Sequence, residues 1–241
     1  MNKLLSLFKR SGPGLNCSAV IVAAGTASRM QGIDKVLTPL GDIPVLVRTL
    51  RAFQRCADIT EIVVVTREDL LVEISKLCKD YSLDKVCKIV VGGSERMLSV
   101  RAGIREVSRD ARLIAIHDGA RPFLTDEVLR EVLHQADASG AAAPAVAVND
   151  TIKRAEDGIV VETVDRSCLW AIQTPQVFQA DLIRAAVEKA AQENAQVTDD
   201  CSVVERLGMR VVLTAGDRQN IKVTTPFDLL LGEAILRQRG E

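Results

Sequence analysis

Short apolar runs rich in Val and Ile alternate along this chain with stretches whose apolar positions recur every three or four residues, the pattern of parallel strands joined by helices. The first run, Ala19-Val20-Ile21-Val22-Ala23-Ala24, breaks at Gly25 into Thr26-Ala27-Ser28-Arg29-Met30, with Lys35 close behind. Val45 to Phe53 reads as a helix, and Pro44 suits its first turn. Glu61 to Thr66 is a second strand, where Thr66 resembles the N-cap of a helix with Glu68 and Asp69 in its first turn. Lys88 to Val91 is a third, ending at Gly92-Gly93-Ser94-Glu95-Arg96. Met97, Val100, Ile104 and Val107 then mark a helix face, which Ser94 can cap, and Ser99 with Arg96 faces a possible ligand over the sheet. Leu113 to Ile116, a fourth strand, runs directly into His117-Asp118-Gly119-Ala120-Arg121-Pro122, and the next helix starts at Thr125 and ends near Ser139-Gly140.

Beyond the strand Ala141 to Val148 the pattern changes. Two extended segments with partial alternation meet at Asp157-Gly158, a hairpin turn signal, and predict a projecting β-arm over residues 149–168. An isolated hairpin is marginal in water, so the arm needs a surface to pack on, and a second copy of the chain is one candidate. Trp170, the single tryptophan, is expected to anchor a core or an interface. A helix follows around Asp181–Glu193, then Thr198-Asp199-Asp200 caps a helix carrying Val203, Val204 and Leu207, and Arg210–Thr214 forms a strand. Lys222 lies in a short extended run before a last helix, with Thr225 as cap, Pro226 at its start and Asp228 three residues after the cap.

Length narrows this to an α/β architecture of one domain: 241 residues, 47% of them hydrophobic, suffice for a single domain over residues 17–241. Residues 1–16 read as a loosely ordered N-terminal extension, because Leu4-Leu5-Ser6-Leu7-Phe8 is too short for a signal-peptide core and Ser11-Gly12-Pro13-Gly14 breaks it. No later stretch is apolar enough to span a bilayer, so no membrane partner is expected. A net charge of −1 argues against nucleic acid and requires any phosphate site to be a local concentration of Lys and Arg. The six cysteines form no C-x-x-C pair and fit reduced, packed thiols in a cytoplasmic protein; no transit peptide is evident that would direct it to a plastid stroma.

The candidate chemistry collects at strand carboxyl ends, where open α/β sheets bind ligands. Gly25 permits close backbone approach to a polyanion that Arg29 and Lys35 would neutralise, although an ordinary β-to-α turn reads the same way. Asp118 is a candidate for orienting a metal-bound phosphate and Arg121 for pairing with a second anion, or the two pair with each other; His117 reads as a hydrogen-bonded structural residue. With Lys222, the inventory is cationic. It contains no Ser/His/Asp or Cys/His nucleophile set and no zinc spacing, and both G-x-G-x-x-G and G-x-x-x-x-G-K-[ST] are absent, which disfavours a dehydrogenase and a P-loop NTPase. Phosphoryl and nucleotidyl transfers need positioning and cations rather than a protein nucleophile.

Ala23-Ala24-Gly25-x-x-x-Arg29-Met30 with Lys35, Gly92-Gly93-Ser94-Glu95-Arg96 with Ser99, and His117-Asp118-Gly119-Ala120-Arg121-Pro122 together resemble the 2-C-methyl-D-erythritol 4-phosphate cytidylyltransferase family. Asp150-Thr151-Ile152-Lys153, Thr163-Val164-Asp165-Arg166, Gln173-Thr174-Pro175-Gln176, Thr198-Asp199-Asp200 and Asn220-Ile221-Lys222-Val223-Thr224 extend the resemblance to nearly the whole chain. It implies a Rossmann-like three-layer nucleotidyltransferase fold with a mostly parallel central sheet, and cytidylyl transfer from CTP to methylerythritol phosphate with Mg²⁺ bridging the triphosphate. Arg29, Lys35 and Lys222 would be the catalytic cations. Ala23, Ala24, Gly25, Gly93, Ser99 and Asp118 would form the CTP site, with Asp118 also a minor metal anchor beside the CTP phosphates. The acceptor site would be lined by Asp118, Arg121, Thr174 and Thr198, with Thr151 and Arg166 reaching in from the β-arm of a homodimer partner. A relative acting on another polyol phosphate, such as ribitol 5-phosphate, and a non-catalytic nucleotide-binding relative are the alternatives. The chain departs from the family pattern in Ala27 for a glycine, in Asp34-Lys35-Val36 for Pro-Lys-Gln, in an Arg29-to-Lys35 loop one residue shorter, and in Gly119 for alanine, a change expected to be mild.

Overall fold

The computed structural model describes residues 14–25 and 34–241. Residues 1–13 of the extension, and Arg29 with the rest of its turn, lie outside the described residues. Leu15 and Asn16 are held at the start of the first strand: the Leu15 N–H donates to Asp58 Oδ1 at 3.1 Å and the Asn16 amide to the Asp110 carbonyl at 2.6 Å.

In chain order the strands are β1 (Cys17–Val22), the short pair β2 (Pro39–Leu40) and β3 (Ile43–Pro44), β4 (Ile59–Thr66), β5 (Val86–Val91), β6 (Leu113–Asp118), β7 (Ala141–Ala147), β8 (Lys153–Glu156), β9 (Ile159–Thr163), β10 (Trp170–Ile172), β11 (Gln176–Gln179) and β12 (Val212–Ala215). The helices are α1 (Val45–Arg55), α2 (Leu71–Asp80), α3 (Arg96–Glu106), α4 (Asp126–Ser139), α5 (Ala180–Gln192), α6 (Asp200–Glu205) and α7 (Pro226–Arg239). β5, β4, β1 and β6 pair in parallel, and β11 runs antiparallel between β6 and β7. β12 lies parallel on the other side of β7, while β10 continues the antiparallel line of β11 along it. Eight strands thus make one mostly parallel sheet.

Strand alternation sorts the apolar side chains onto two faces. Ala19, Ile21, Ile62, Val64, Leu113 and Ala115 pack with Leu46, Leu50, Phe53, Leu129 and Leu133 of α1 and α4. Val20, Val63, Val65, Ile114 and Ile116 face the other way, onto Val100, Ile104, Ile183 and Val187 of α3 and α5. The result is the helix–sheet–helix sandwich that the family resemblance implied. The apolar runs of β1, β4 and β6 are buried on two sides, which is why they read as unbroken apolar stretches rather than as alternating ones.

Several local expectations hold and others give way. The Thr125 hydroxyl accepts from the Val128 N–H, Gly140 closes α4 in the left-handed region at φ 88°, and Thr225 with Asp228 forms a capping box at α7. Thr66 caps nothing: it ends β4 as a buried strand residue, and a single 3₁₀ turn, Glu68–Leu70, intervenes before α2. Ser94 does not cap α3, whose N-cap is Glu95 without a side-chain bond. Ser99 stitches that turn instead, accepting from the Gly93 N–H at 3.1 Å and donating back to the Glu95 carbonyl. Trp170 is 49% exposed and joins neither apolar cluster of the described residues. All six cysteines are free thiols, but Cys87 and Cys168 are exposed rather than packed.

Candidate active site

The carboxyl ends of β1, β4, β5 and β6 open onto a cleft of about 490 Å³. Ala23, Ala24 and Gly25 leave β1 along one wall, Gly93 to Arg96 and Ser99 make the opposite wall, and Lys35, Arg67, Asp118 and Lys222 close it with charge. The walls approach so closely that glycine is required. A Cβ on Gly92 would lie 2.6 Å from the Ala24 methyl and 2.7 Å from Ser99 Oγ, and one on Gly93 would lie 2.4 Å from Leu98 Cβ. At Gly25 the Lys35 ammonium sits 3.7 Å from where a side chain would begin, so cation and exposed backbone share one corner.

Asp118 is the electrostatic centre. Lys222 Nζ lies 2.9 Å from its Oδ2, Arg121 Nε 3.4 Å from the same oxygen, and Arg96 Nε 3.7 Å from Oδ1. Burial opposes the charged carboxylate, yet Lys222, Arg96 and Arg121 together overcome it and hold the Asp118 carboxyl well below the usual range. Of the alternatives raised for Asp118 and Arg121, the structure shows the pairing of the two residues, and Asp118 lines the cleft as well. Arg96 is itself gripped by both oxygens of the buried Asp200 at 2.7 Å, joining the start of α3 to the start of α6.

Behind Asp118 the Thr174 hydroxyl accepts from the Asp118 N–H at 3.1 Å and stands 3.0 Å from His117 Nδ1. The other ring nitrogen, Nε2, is 3.2 Å from the Arg121 carbonyl, which can only accept, so Nε2 carries the proton and Nδ1 receives the Thr174 hydroxyl. Burial pushes the His117 imidazole down to about 4, so the ring is a neutral strut, as its setting in the sequence indicated.

The segment Gln173 to Gln176 braces the site from three sides, a role its sequence did not reveal. The Gln173 amide donates to the Asp217 carbonyl at 2.7 Å and accepts from the Asp217 N–H at 3.2 Å. The Asn220 amide donates to the Thr174 carbonyl at 3.0 Å, while the Asn220 carbonyl accepts from Arg121 at 2.7 Å. With the Val223 N–H on the Ala120 carbonyl, these bonds fix the loop that presents Lys222. The Gln176 carbonyl accepts from the Asp200 and Cys201 N–H groups at 2.9 Å, and its amide donates to Asp199. A pair of glutamines flanking a Thr-Pro was the only available signal, and side-chain amides satisfying both donors and acceptors of a distant loop cannot be read from spacing.

Of the expected site residues, Ala23, Ala24, Gly25, Lys35, Gly93, Ser99, Asp118 and Lys222 line the cleft together. Arg121 touches it through Asp118, Thr174 is buried behind it, and Thr198 is exposed just before α6. Thr151 and Arg166 stand apart on the exposed arm. Arg29 lies outside the described residues. Among the described residues no group of three or more His, Cys, Asp or Glu is placed to hold a metal ion, and no helix is long and apolar enough to cross a membrane.

The sequence profile of the 2-C-methyl-D-erythritol 4-phosphate cytidylyltransferase (IspD) family matches residues 17–238. A relative of that name from Caldanaerobacter subterraneus is 46% identical over 231 residues, covering 93% of this chain and all of the relative, and one from Geobacillus kaustophilus is 44% identical over 226 residues, covering 93% and 99%. Among solved structures, the 4-diphosphocytidyl-2C-methyl-D-erythritol synthase of Anaerococcus prevotii superposes with a TM-score of 0.82 at 31% identity, over 92% of this chain and 96% of that one. The cytidylyltransferase of Thermus thermophilus gives 0.76 at 31% identity, over 90% and 98%. The chain belongs to the 2-C-methyl-D-erythritol 4-phosphate cytidylyltransferase family.

Proposed function

We propose that this chain transfers the cytidylyl group of CTP to the phosphate of 2-C-methyl-D-erythritol 4-phosphate, releasing pyrophosphate. The convergence of Lys35 and Lys222 on a cleft walled by Gly93 and Ser99, with the chain's family membership, carries this reading. The acceptor phosphate has a second pKa of about 6, so it is already the nucleophile at neutral pH and no base is needed. One of its oxygens attacks the α-phosphorus, the bond from that phosphorus to the bridging β-oxygen breaks, and the electron pair leaves on pyrophosphate. The difficulty is charge, since two anions must meet. Lys35 and Lys222 hold the triphosphate and offset charge gathering on the phosphorus oxygens, with Arg29 as the third cation of the sequence pattern. Ala23, Ala24, Gly25, Gly93 and Ser99 seat the nucleoside, and Asp118, Arg121, Thr174 and Thr198 shape the acceptor side.

Mg²⁺ travels with the triphosphate in this reading and supplies neutralisation of its charge. Both Asp118 oxygens already face cations, so Asp118 offers the ion one carboxylate contact at most, consistent with a metal held mainly by CTP. The arm supports a homodimer. Its hairpin β8–β9 turns at Asp157 and Gly158, both at positive φ, and leaves Ile159, Val160 and Val161 exposed; Trp170 and Ile172, which follow the arm in the chain, are exposed as well. Thr151 and Arg166 flank that hairpin and would enter the site of the second copy.

A pyrophosphate-release assay with CTP, Mg²⁺ and a panel of acceptors tests the assignment. Methylerythritol phosphate should be turned over far faster than ribitol 5-phosphate. Preference for ribitol 5-phosphate, or no release with either, would overturn it.

A further inference from the structure

Asp34, one of the positions where the chain departs from its family's pattern, meets Arg67. Arg67 Nη1 lies 2.7 Å from Asp34 Oδ2, with the two side chains 27% and 16% exposed. Arg67 follows directly on β4 and lines the cleft, whereas Asp34 sits behind Lys35 and does not line it. The remaining acceptors of Asp34 shape one turn. Its Oδ1 accepts from the Val36 N–H at 3.1 Å, and its carbonyl from the Leu37 and Thr38 N–H groups at 3.1 and 3.0 Å. The far side of that turn is fastened to α1, with the Leu46 N–H on the Val36 carbonyl and the Val45 N–H on the Thr38 carbonyl. Arg67 is braced in turn by Asp69, which accepts from its Nε and Nη2 at 3.0 Å each.

We propose that Arg67 is a positioning residue for nucleotide binding: through Asp34 it clamps the turn that carries Lys35 to the carboxyl end of β4, so that the ammonium is set before the triphosphate arrives. The inference rests on the CTP reading above. It explains how a carboxylate is tolerated one residue from a triphosphate cation: its charge is spent on Arg67, and its remaining oxygen caps the turn. Without proline before the lysine, the turn has no fixed φ there, and a side-chain clamp supplies the rigidity instead.

Equilibrium CTP binding to the full chain, with Mg²⁺, separates this from simple charge. If Arg67 only added positive potential, Asp34→Asn would tighten CTP by freeing it. The clamp predicts the opposite sign. Asp34→Asn, which keeps the cap on Val36, and Arg67→Gln should each weaken CTP roughly three- to tenfold. The double variant should be no weaker than the worse single, and KM for the acceptor and the melting temperature should stay near those of the parent. Tighter or unchanged CTP binding in Asp34→Asn, or additive losses in the double variant, would overturn the proposal. Failure of the parent chain itself to bind CTP would instead overturn the functional reading.

Discussion

The cleft rim and the β-arm are built on opposite plans. At the rim the charged groups are answered from elsewhere in the fold: Asp118 by Lys222, Arg96 and Arg121, the Lys222 loop by Gln173 and Thr174, Arg96 by Asp200. In the arm the hydrogen bonds stay within the arm, Arg154 with Glu156 and Glu162, Lys153 with Thr163 and Arg166 on the Asn149 carbonyl, and residues 149–163 are exposed throughout. The rim is preorganised by the chain that carries it. The arm is a shape held by a two-stranded ladder, and its apolar residues Ile159, Val160 and Val161 are left exposed by the described residues.

The sharpest way to break this contrast is Lys222→Ala. Arg96 and Arg121 still face Asp118 when Lys222 is gone, so the fold should survive while turnover falls by about 10² to 10³, the loss expected for one transition-state cation in a preorganised site. A steady-state assay with a thermal melt reads both, and unchanged turnover would remove Lys222 from the chemistry. Next is a pH effect on stability. The His117 imidazole titrates at about 4 when folded but at its ordinary 6.5 when unfolded, because burial disfavours the cation. Between those values the unfolded chain binds the extra proton, so stability falls as pH drops from 6.5 towards 4, by about 3 kcal/mol over the full window. Asp118, whose folded value is depressed, contributes its own loss only below the ordinary carboxylate range, so the two windows separate. Urea unfolding at pH 7, 5.5 and 4.5 should show that slope, and a His117→Asn variant should flatten it. The smallest effect on the fold belongs to the arm. A chain lacking residues 151–163 should sediment as a monomer, yet its unfolding free energy per chain should stay within about 1 kcal/mol, since exposed ion pairs contribute little. A persisting dimer would show that the arm is not the interface.

Legibility follows the same divide. Parallel strands buried on both faces leave unbroken apolar runs, so β1, β4 and β6 were visible in Ala19–Val22, Glu61–Thr66 and Leu113–Ile116, and the hairpin was visible in Asp157-Gly158. Ala23, Gly25, Gly93 and Asp118 were found because they stand at or just past strand ends, a position set by topology, whereas Lys35 and Lys222 lie on loops beyond them. What stayed hidden were the answers to polar groups across long separations: Ser99 rather than Ser94 closing the α3 turn, Gln173 reaching Asp217, and Arg67 reaching Asp34. Hydrogen bonds of that kind leave no periodicity. Gly119 was read as a mild change, and a Cβ there would stand 3.1 Å from the Ala23 methyl and 3.2 Å from both Leu46 Cδ1 and the Val22 carbonyl oxygen, a fit in which the three neighbours must give slightly.

The Gln173–Gln176 segment sets how the molecule tolerates insertions and deletions. It falls where β10 gives way to β11 along β7, and the pairing offset changes by two residues across it, from Ile172 opposite Ala145 to Val177 opposite Ala142. A one-residue deletion at this joint would not damage one contact at a time. It would turn Gln173, Thr174 and Gln176 away together, releasing the Lys222 loop, the back of Asp118 and the start of α6 in a single event. Length changes should therefore accumulate on the arm side of Trp170 and be purged between Ile172 and Val177, so four residues without a reacting atom would be among the least editable of the chain.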